Sequence, residues 1–234
     1  MNAAHEASRR RVPRPWDTDW LMLRGLAGAL ARQAQACVRS GGQVLDFGCG
    51  TMPYRAMIEN QGAHYLAADL DGAPQVRIAP DGTLPVADRS IDTVLSVQVL
   101  EHVRDLDTYL GEAARVLKAQ GSLLLSTHGN WLFHPHPEDH RRWTRTGLVV
   151  DIEARGFRVE SMEAIAGPLA TTTMIRLAGY AYFLRRLPLA GPVVAAALAL
   201  VMNLRAWLED RITPAGLRDD NACIYVVRCT KAAA

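Results

Sequence analysis

The stretch that decides the fold reads Val44-Leu45-Asp46-Phe47-Gly48-Cys49-Gly50-Thr51. The apolar run Gln43–Phe47 predicts a buried strand, and the two glycines that follow it predict a sharp turn into a helix. Glycine at such a turn also lets a ligand approach the backbone closely. In an open parallel sheet, ligands bind at the carboxyl ends of the strands. The turn is therefore the predicted ligand site, with a tight strand-to-helix connection as the alternative.

Outward from this turn, apolar runs alternate with helical patterns along the chain. The predicted strands are Gln43–Phe47, Ala63–Ala68, Ile91–Val97, Ser122–Thr127, Phe157–Ala164 and Cys223–Cys229. The predicted helices run from Thr18 as N-cap to Val38, from Pro53 onward, over Asp107–Lys118 and over Thr146–Ala154. Strands that are apolar throughout and alternate with helices indicate an α/β, doubly wound, mostly parallel sheet covered on both faces.

The 234 residues suit one domain with an appended subdomain. Residues 1–16 are polar and rich in proline and arginine, and we expect a flexible basic arm. Residues 17–166 and 222–234 form the predicted main domain. Residues 167–221 are too long for a simple connection and read as a helical insertion before the last strand.

The net charge of +2 makes no general case for nucleic-acid binding. The charge is unevenly distributed, since residues 41–127 carry eleven acidic and six basic side chains while both flanking segments are basic. The four cysteines have no metal-binding spacing, so we expect no metal and reduced thiols in the cytoplasm. Arg24 interrupts the apolar stretch near the N-terminus, which disfavours an export signal.

A carboxylate follows the second predicted strand. Asp69 lies 19 residues beyond Gly50, where a carboxylate can accept hydrogen bonds from two ribose hydroxyls. A dinucleotide site would have a third glycine where this chain has Pro53. That departure weakens the interpretation as an oxidoreductase that binds NAD or a nucleotide sugar.

Four motifs in order resemble the class I S-adenosylmethionine-dependent methyltransferases, of the small-molecule type 11-like group. They are Val44–Thr51, Tyr65–Asp69, Asp81–Pro85 and Ile91–Val103, within residues 42–127. The resemblance implies S-adenosylmethionine as cofactor and a seven-stranded sheet with an antiparallel last strand. Met52 stands where many relatives have glycine.

Carried over by position, the resemblance implies a set of cofactor contacts. Asp46 would support the turn, Asp69 would hold the ribose, and Asp81 the adenine amino group. The full implied set is Asp46, Gly48, Cys49, Gly50, Asp69, Asp81, Leu84 and Gln98. Within it, the turn backbone approaches the methionine part, Leu84 packs near the base, and Gln98 faces the methionine end or the substrate.

Four of the seven histidines lie in the loop after the fifth predicted strand, residues 128–144. A hydroxyl acceptor of a methyl group often needs a base near neutral pH, which makes His134 and His136 the candidate bases. The candidate substrate contacts are Asp139, His140, Arg142 and Trp143. The alternative is that this segment only braces a loop, with Trp143 in the core. The turn Arg142–Arg145 resembles methyltransferases of sugars, cell-envelope precursors or specialised metabolites.

The insertion contains an uncharged stretch, Leu187–Leu204, flanked by arginines. Pro188 and Pro192 leave about a dozen residues of apolar helix, which is short for a membrane span. A helical pair that caps the sheet, or contact of residues 169–208 with a membrane surface or a lipid-linked substrate, are the open alternatives.

The expected function is S-adenosylmethionine-dependent methyl transfer, by O-methylation, to a small-molecule, sugar or lipid-linked acceptor. The alternatives are a non-catalytic S-adenosylmethionine-binding module and an NAD or nucleotide-sugar oxidoreductase. A nucleic-acid methyltransferase would predict a tetrapeptide such as NPPY or DPPY, which the sequence lacks. We expect a cytoplasmic protein, or one peripheral to the inner face of the membrane.

Overall fold

The structure is a computed structural model that describes residues 3–135 and 138–232. A seven-stranded sheet runs through its centre in the order β3-β2-β1-β4-β5-β7-β6. The strands are β1 (Gln43–Phe47), β2 (His64–Asp69), β3 (Val76–Arg77), β4 (Ile91–Val97), β5 (Leu117–His128), β6 (Phe157–Ile165) and β7 (Ile224–Lys231). Strands β1 to β5 pair in parallel, and β7 lies antiparallel between β5 and β6. The predicted fold class and its antiparallel last strand are confirmed.

Helices cover both faces of the sheet. They are α1 (Ala3–Arg11), α2 (Trp20–Cys37), α3 (Arg55–Glu59), α4 (Leu106–Val116), α5 (Arg145–Glu153), α6 (Pro168–Leu184), α7 (Gly191–Ile212) and α8 (Ala215–Asp220). Side chains alternate across the pleat, so that Val44 packs in one core with α2 and α6, while Leu45 and Phe47 pack in the other with α4 and α5. Each face of β1 is therefore buried, which explains its apolar residues Val44, Leu45 and Phe47.

Several predicted boundaries differ from the structure. Thr18 is not the N-cap of α2, because the helix begins at Trp20 after Asp19, whose side chain makes no capping hydrogen bond. After the glycine turn, Pro53 lies in a turn and α3 begins only at Arg55. Met52 has a φ of 54°, in the left-handed region, and a right-handed helix cannot pass through that backbone conformation.

The N-terminal segment also differs from the flexible arm predicted for residues 1–16. Residues Ala3–Arg11 form α1, and Arg9 makes an ion pair of 2.6 Å with Asp19 at the start of α2. Asn203 of α7 donates to the backbone carbonyls of Pro15 and Asp17 at 2.7 and 2.8 Å. These partners lie far away in sequence, so local composition does not reveal them.

Candidate functional site

The glycine turn sits at the carboxyl end of β1, beside the end of β2. The backbone N–H groups of Gly48 and Cys49 both donate to the carbonyl of Ala68, at 2.8 and 3.0 Å. Gly48 has a φ of 90°, and a Cβ there would lie 2.7 Å from Val99 Cγ2. At Gly50, where φ is 50°, a Cβ would have no heavy atom of the described residues within 4 Å. The first glycine is thus required by packing, and the second leaves open space above the backbone.

Met52 is the residue at which the glycine turn departs from the family that the sequence resembles. Its φ of 54° lies in the left-handed region, which glycine adopts more easily than other residues. The left-handed backbone costs a non-glycine residue about 1–2 kcal/mol. The side chain of Met52 packs against the core on the α2 face, which offsets part of that cost.

A buried acid lies in β1 two residues before Gly48. Asp46 is 2% exposed, and the Tyr65 hydroxyl donates a short hydrogen bond to its Oδ2. Burial raises the pKa of Asp46 to about 7, against the opposing effect of the Tyr65 hydrogen bond, and the nearby Asp69 raises it further. A cation bound at the turn would favour the ionised form of this carboxyl.

Asp69 closes the turn at the end of β2. Its Oδ2 accepts the backbone N–H of Gly50 at 2.7 Å, and its Oδ1 accepts that of Leu70 at 2.8 Å. Each carboxylate oxygen has a second lone pair, so the half-exposed Asp69 can still accept hydrogen bonds from a ligand. The structure therefore brings Asp46, Gly48, Gly50 and Asp69 together as the sequence predicts.

The remaining predicted cofactor residues lie in separate local environments. Exposed Asp81 accepts from the backbone N–H and hydroxyl of Thr83 at 3.0 and 2.7 Å, which lowers the pKa of Asp81 and keeps it ionised. Gln98, with a φ of 56°, donates from Nε2 to Ser126 Oγ at 3.1 Å, at the carboxyl ends of β4 and β5. The side chain of Leu84 is 5% exposed and belongs to the α4 core, while its backbone N–H donates to Glu112 Oε2 at 2.7 Å.

We expect Gly48→Ala to destabilise the fold more than Gly72→Ala does. Both glycines have a left-handed φ, of 90° and 75°, so each alanine incurs about 1–2 kcal/mol of backbone strain. Only the first brings a Cβ against Val99, whereas a Cβ at Gly72 has no described heavy atom within 4 Å. Overpacking should add about 1–3 kcal/mol. Urea denaturation measures both free energies of unfolding, and equal losses would contradict the predicted close packing at Gly48.

The loop after β5 is held by a salt bridge rather than left open to substrate. Arg142 Nη2 lies 2.6 Å from Asp139 Oδ2, and the same oxygen accepts the backbone N–H of His134 at 2.6 Å. Arg142 also donates to the backbone carbonyls of Trp131 and Leu132. The hydrogen bonds that Arg142 donates lower the pKa of Asp139 to about 2. Of the two roles predicted for Arg142, binding substrate or fixing the loop, these contacts support the second.

Two further substrate predictions differ from the structure. Trp143 is 6% exposed within the α4 and α5 core, and its Nε1 donates to Asp151 Oδ2 at 2.8 Å. His140 Nε2 lies 3.0 Å from Glu138 Oε2, and its backbone N–H donates to the Glu101 carbonyl at 2.9 Å. The prediction for His136 falls outside the described residues.

A buried pair beneath this loop was not identified from the sequence. His128 ends β5 and is 3% exposed, and its Nε2 lies 3.5 Å from Oε1 of the fully buried Glu101. The other Glu101 oxygen accepts from the Thr127 hydroxyl at 2.8 Å. Burial lowers the pKa of His128 to about 3, and burial raises the pKa of Glu101. His128 is therefore neutral near neutral pH.

His134 lies above this pair. Its ring centroid is 6.5 Å from that of His128 and 5.9 Å from that of His102, and its side chain is exposed. The signal that could have found this cluster is topological. Glu101 and His102 follow β4, while His128 ends β5, and these parallel neighbours end at the same edge of the sheet.

Comparison with known proteins places this geometry among methyltransferases. A family model described as a methyltransferase domain matches residues 21–166. A probable S-adenosylmethionine-dependent methyltransferase of Mycolicibacterium smegmatis is 31% identical over 146 residues, covering 55% of this chain and 56% of that protein. A demethylmenaquinone methyltransferase of Tropheryma whipplei is 32% identical over 133 residues, covering 49% and 55%. The chain thus spans about half the length of these relatives.

The fold also matches solved structures. The geranyl diphosphate C-methyltransferase of Streptomyces coelicolor A3(2) superposes with a TM-score of 0.55 at 14% identity, over 97% of this chain and 85% of that one. At this identity the likeness concerns the fold alone.

Proposed function

The chain belongs to the methyltransferase domain family, and from this premise we propose that it transfers a methyl group from S-adenosylmethionine to a hydroxyl of a small-molecule, sugar or lipid-linked acceptor. The observation that carries the proposal is the glycine turn between the buried Asp46 and the half-exposed Asp69. The comparisons support the family, and the acceptor is inferred from the residues of the loop after β5.

The residues at the turn fit the proposed cofactor. The space above Gly50 leaves room for a ligand against the backbone, since a Cβ there meets no described heavy atom within 4 Å. Asp69 would hold the ribose hydroxyls, and ionised Asp81 would accept from an amino group. Carboxylates suit a ligand that carries positive charge and hydroxyls better than one that carries phosphate. Bound there, S-adenosylmethionine supplies a methyl group on a cationic sulfur.

The protein's part in such a reaction is largely alignment. A direct displacement proceeds fastest when the attacking atom and the methyl group are held in line, and rigid binding residues supply that order. The side chain of Val99 occupies the space where Gly48 would carry a Cβ, and Asp69 accepts the backbone N–H of Gly50. These contacts hold the turn in place without a ligand. Asp46 contributes negative charge beneath it when ionised.

We assign His134 as the group that takes the proton from the acceptor hydroxyl. Its side chain is exposed, while its backbone is fixed by Asp139, which is itself clamped by Arg142. His128 is a poor base in comparison, because its pKa near 3 leaves it little affinity for a proton. The His128–Glu101 pair instead lies buried beneath the loop.

Radiolabelled S-adenosylmethionine tests the acceptor chemistry. The purified chain is incubated with a phenol, a monosaccharide and a polyprenyl-linked sugar, each beside an analogue whose hydroxyl is blocked. The proposal predicts labelled product from at least one free hydroxyl compound and none from its blocked partner. Equal labelling of a blocked analogue would show a carbon or nitrogen acceptor and contradict O-methylation.

A further inference from the structure

Helices α6 and α7 form an antiparallel hairpin whose tip is strongly exposed. The tip comprises residues 182–194. Within it, Phe183 is 70% exposed, Val193 is 71% exposed, and Leu189 is fully exposed. Soluble domains seldom leave so many large apolar side chains adjacent to one another in water. The tip therefore needs an explanation beyond packing inside the chain.

The apolar surface continues from the tip along α7. One side of this helix packs inward through small residues and Met202, which contacts the α6 residue Leu177. The exposed side includes Val193, Val194, Leu200, Val201, Leu204, Leu208 and Ile212, interrupted by Arg205 and Arg211. Both sides of α7 are thus largely apolar, and the described part of the chain covers only one of them.

The charges near the tip have a single sign. Residues 164–208 contain four arginines and no aspartate or glutamate. Arg185 and Arg186 lie at the tip, and the Arg186 guanidinium sits 3.4 Å over the Tyr182 ring. Exposed apolar side chains bordered by aromatic rings and arginines are typical of segments that lie in the headgroup region of a membrane. The positive charge selects a negatively charged partner.

The hairpin is anchored in the protein at its other end. Asp210 Oδ1 accepts the backbone N–H of Gly167 at 2.7 Å, and Glu209 Oε2 accepts from the Thr173 hydroxyl at 2.5 Å. In the described part of the chain, α7 alone is long and apolar enough to cross a membrane by length and composition, yet Asn203 ties it to the N-terminal segment. The helix before Asn203 has 12 residues and spans about 18 Å, short of the roughly 30 Å of a bilayer core.

We propose that the α6–α7 hairpin docks on an anionic lipid bilayer, with its tip inserted in one leaflet. The hairpin follows β6, whose last residue Ile165 pairs with Ile224, and Ile224 also pairs with His128. The base of the hairpin therefore lies at the same edge of the sheet as the glycine turn. The inference is independent of the proposed acceptor, since it concerns binding to lipid without turnover.

Flotation of the whole chain with vesicles tests the proposal. We expect binding to vesicles that contain phosphatidylglycerol, and at least tenfold weaker binding to pure phosphatidylcholine. R185Q/R186Q should weaken binding to the anionic vesicles about 30-fold, because each arginine near a negative surface contributes a factor of about five. F183D/L189D should abolish insertion. Val150→Asp on α5, which is 63% exposed, is the matched control and should bind like the wild type.

Circular dichroism melts establish that each variant is folded. The proposal is overturned if the wild type fails to float with anionic vesicles, or binds both lipid compositions equally. It is also overturned if sedimentation shows a stable dimer that the tip variants dissociate, because the apolar surface would then be covered by a second copy.

Discussion

Replacing Asp69 by alanine is expected to weaken the binding of S-adenosylmethionine at least about 100-fold. The carboxylate would lose two hydrogen bonds to ribose hydroxyls, and hydrogen bonds to charged groups contribute about 1.5–3 kcal/mol each. The variant also frees the Gly50 backbone N–H, which Asp69 holds at 2.7 Å. Titration calorimetry measures the change in affinity directly.

The neighbouring Asp71→Ala is the matched control. Asp71 is an exposed acid of the same loop, and Asp71→Ala removes one negative charge while keeping the backbone N–H that donates to Asp69 Oδ1 at 3.4 Å. It should leave the affinity within about twofold, since single exposed charges have weak effects. Undiminished affinity in the Asp69 variant, or an equal loss in both, would refute the assignment of Asp69 to the ribose.

Replacing His134 by asparagine is expected to lower kcat at least about 100-fold, the usual contribution of a general base. The affinity for S-adenosylmethionine should not change, because the contacts at the glycine turn do not involve this side chain. In the wild type kcat should fall at acidic pH, and in the variant this fall should be absent. A purely structural role for His134 would leave the fall unchanged. Initial rates over a pH series supply both readouts.

His64→Asn provides the comparison for that experiment. His64 is an exposed histidine at the start of β2, at the opposite edge of the sheet from the glycine turn. It should retain the rate and pH profile of the wild type. A His134 variant that matches His64→Asn in both would exclude His134 as the base.

The strands were predictable because their burial is uniform. Both faces of β1 and β4 are covered, so most of their residues are buried and the predicted bounds agree with the structure. The two-residue strand β3 was missed, because an edge strand of that length leaves no periodic pattern. Helix α1 was missed as well, since its Arg9 is paired with a residue beyond the segment.

The candidate site likewise contains features that were predictable from the sequence and features that were not. The glycine turn could be predicted because its conformation depends on the backbone of consecutive residues. Asp69 could be predicted because it ends the adjacent strand. The side-chain contacts of the loop after β5 could not be predicted, because their partners come from other elements of the fold. Trp143 binds Asp151 of α5, and His128 meets Glu101 beyond β4. A sequence shows that such residues are present, but their mutual positions depend on tertiary structure.

Calorimetric titration of the wild-type chain with S-adenosylmethionine, S-adenosylhomocysteine and NAD tests the central claim most directly. The glycine turn, with Asp46 beneath it and Asp69 at its side, predicts saturable binding of the first two ligands and none of NAD. Saturable binding of NAD, with no response to either adenosyl sulfur compound, would contradict the account.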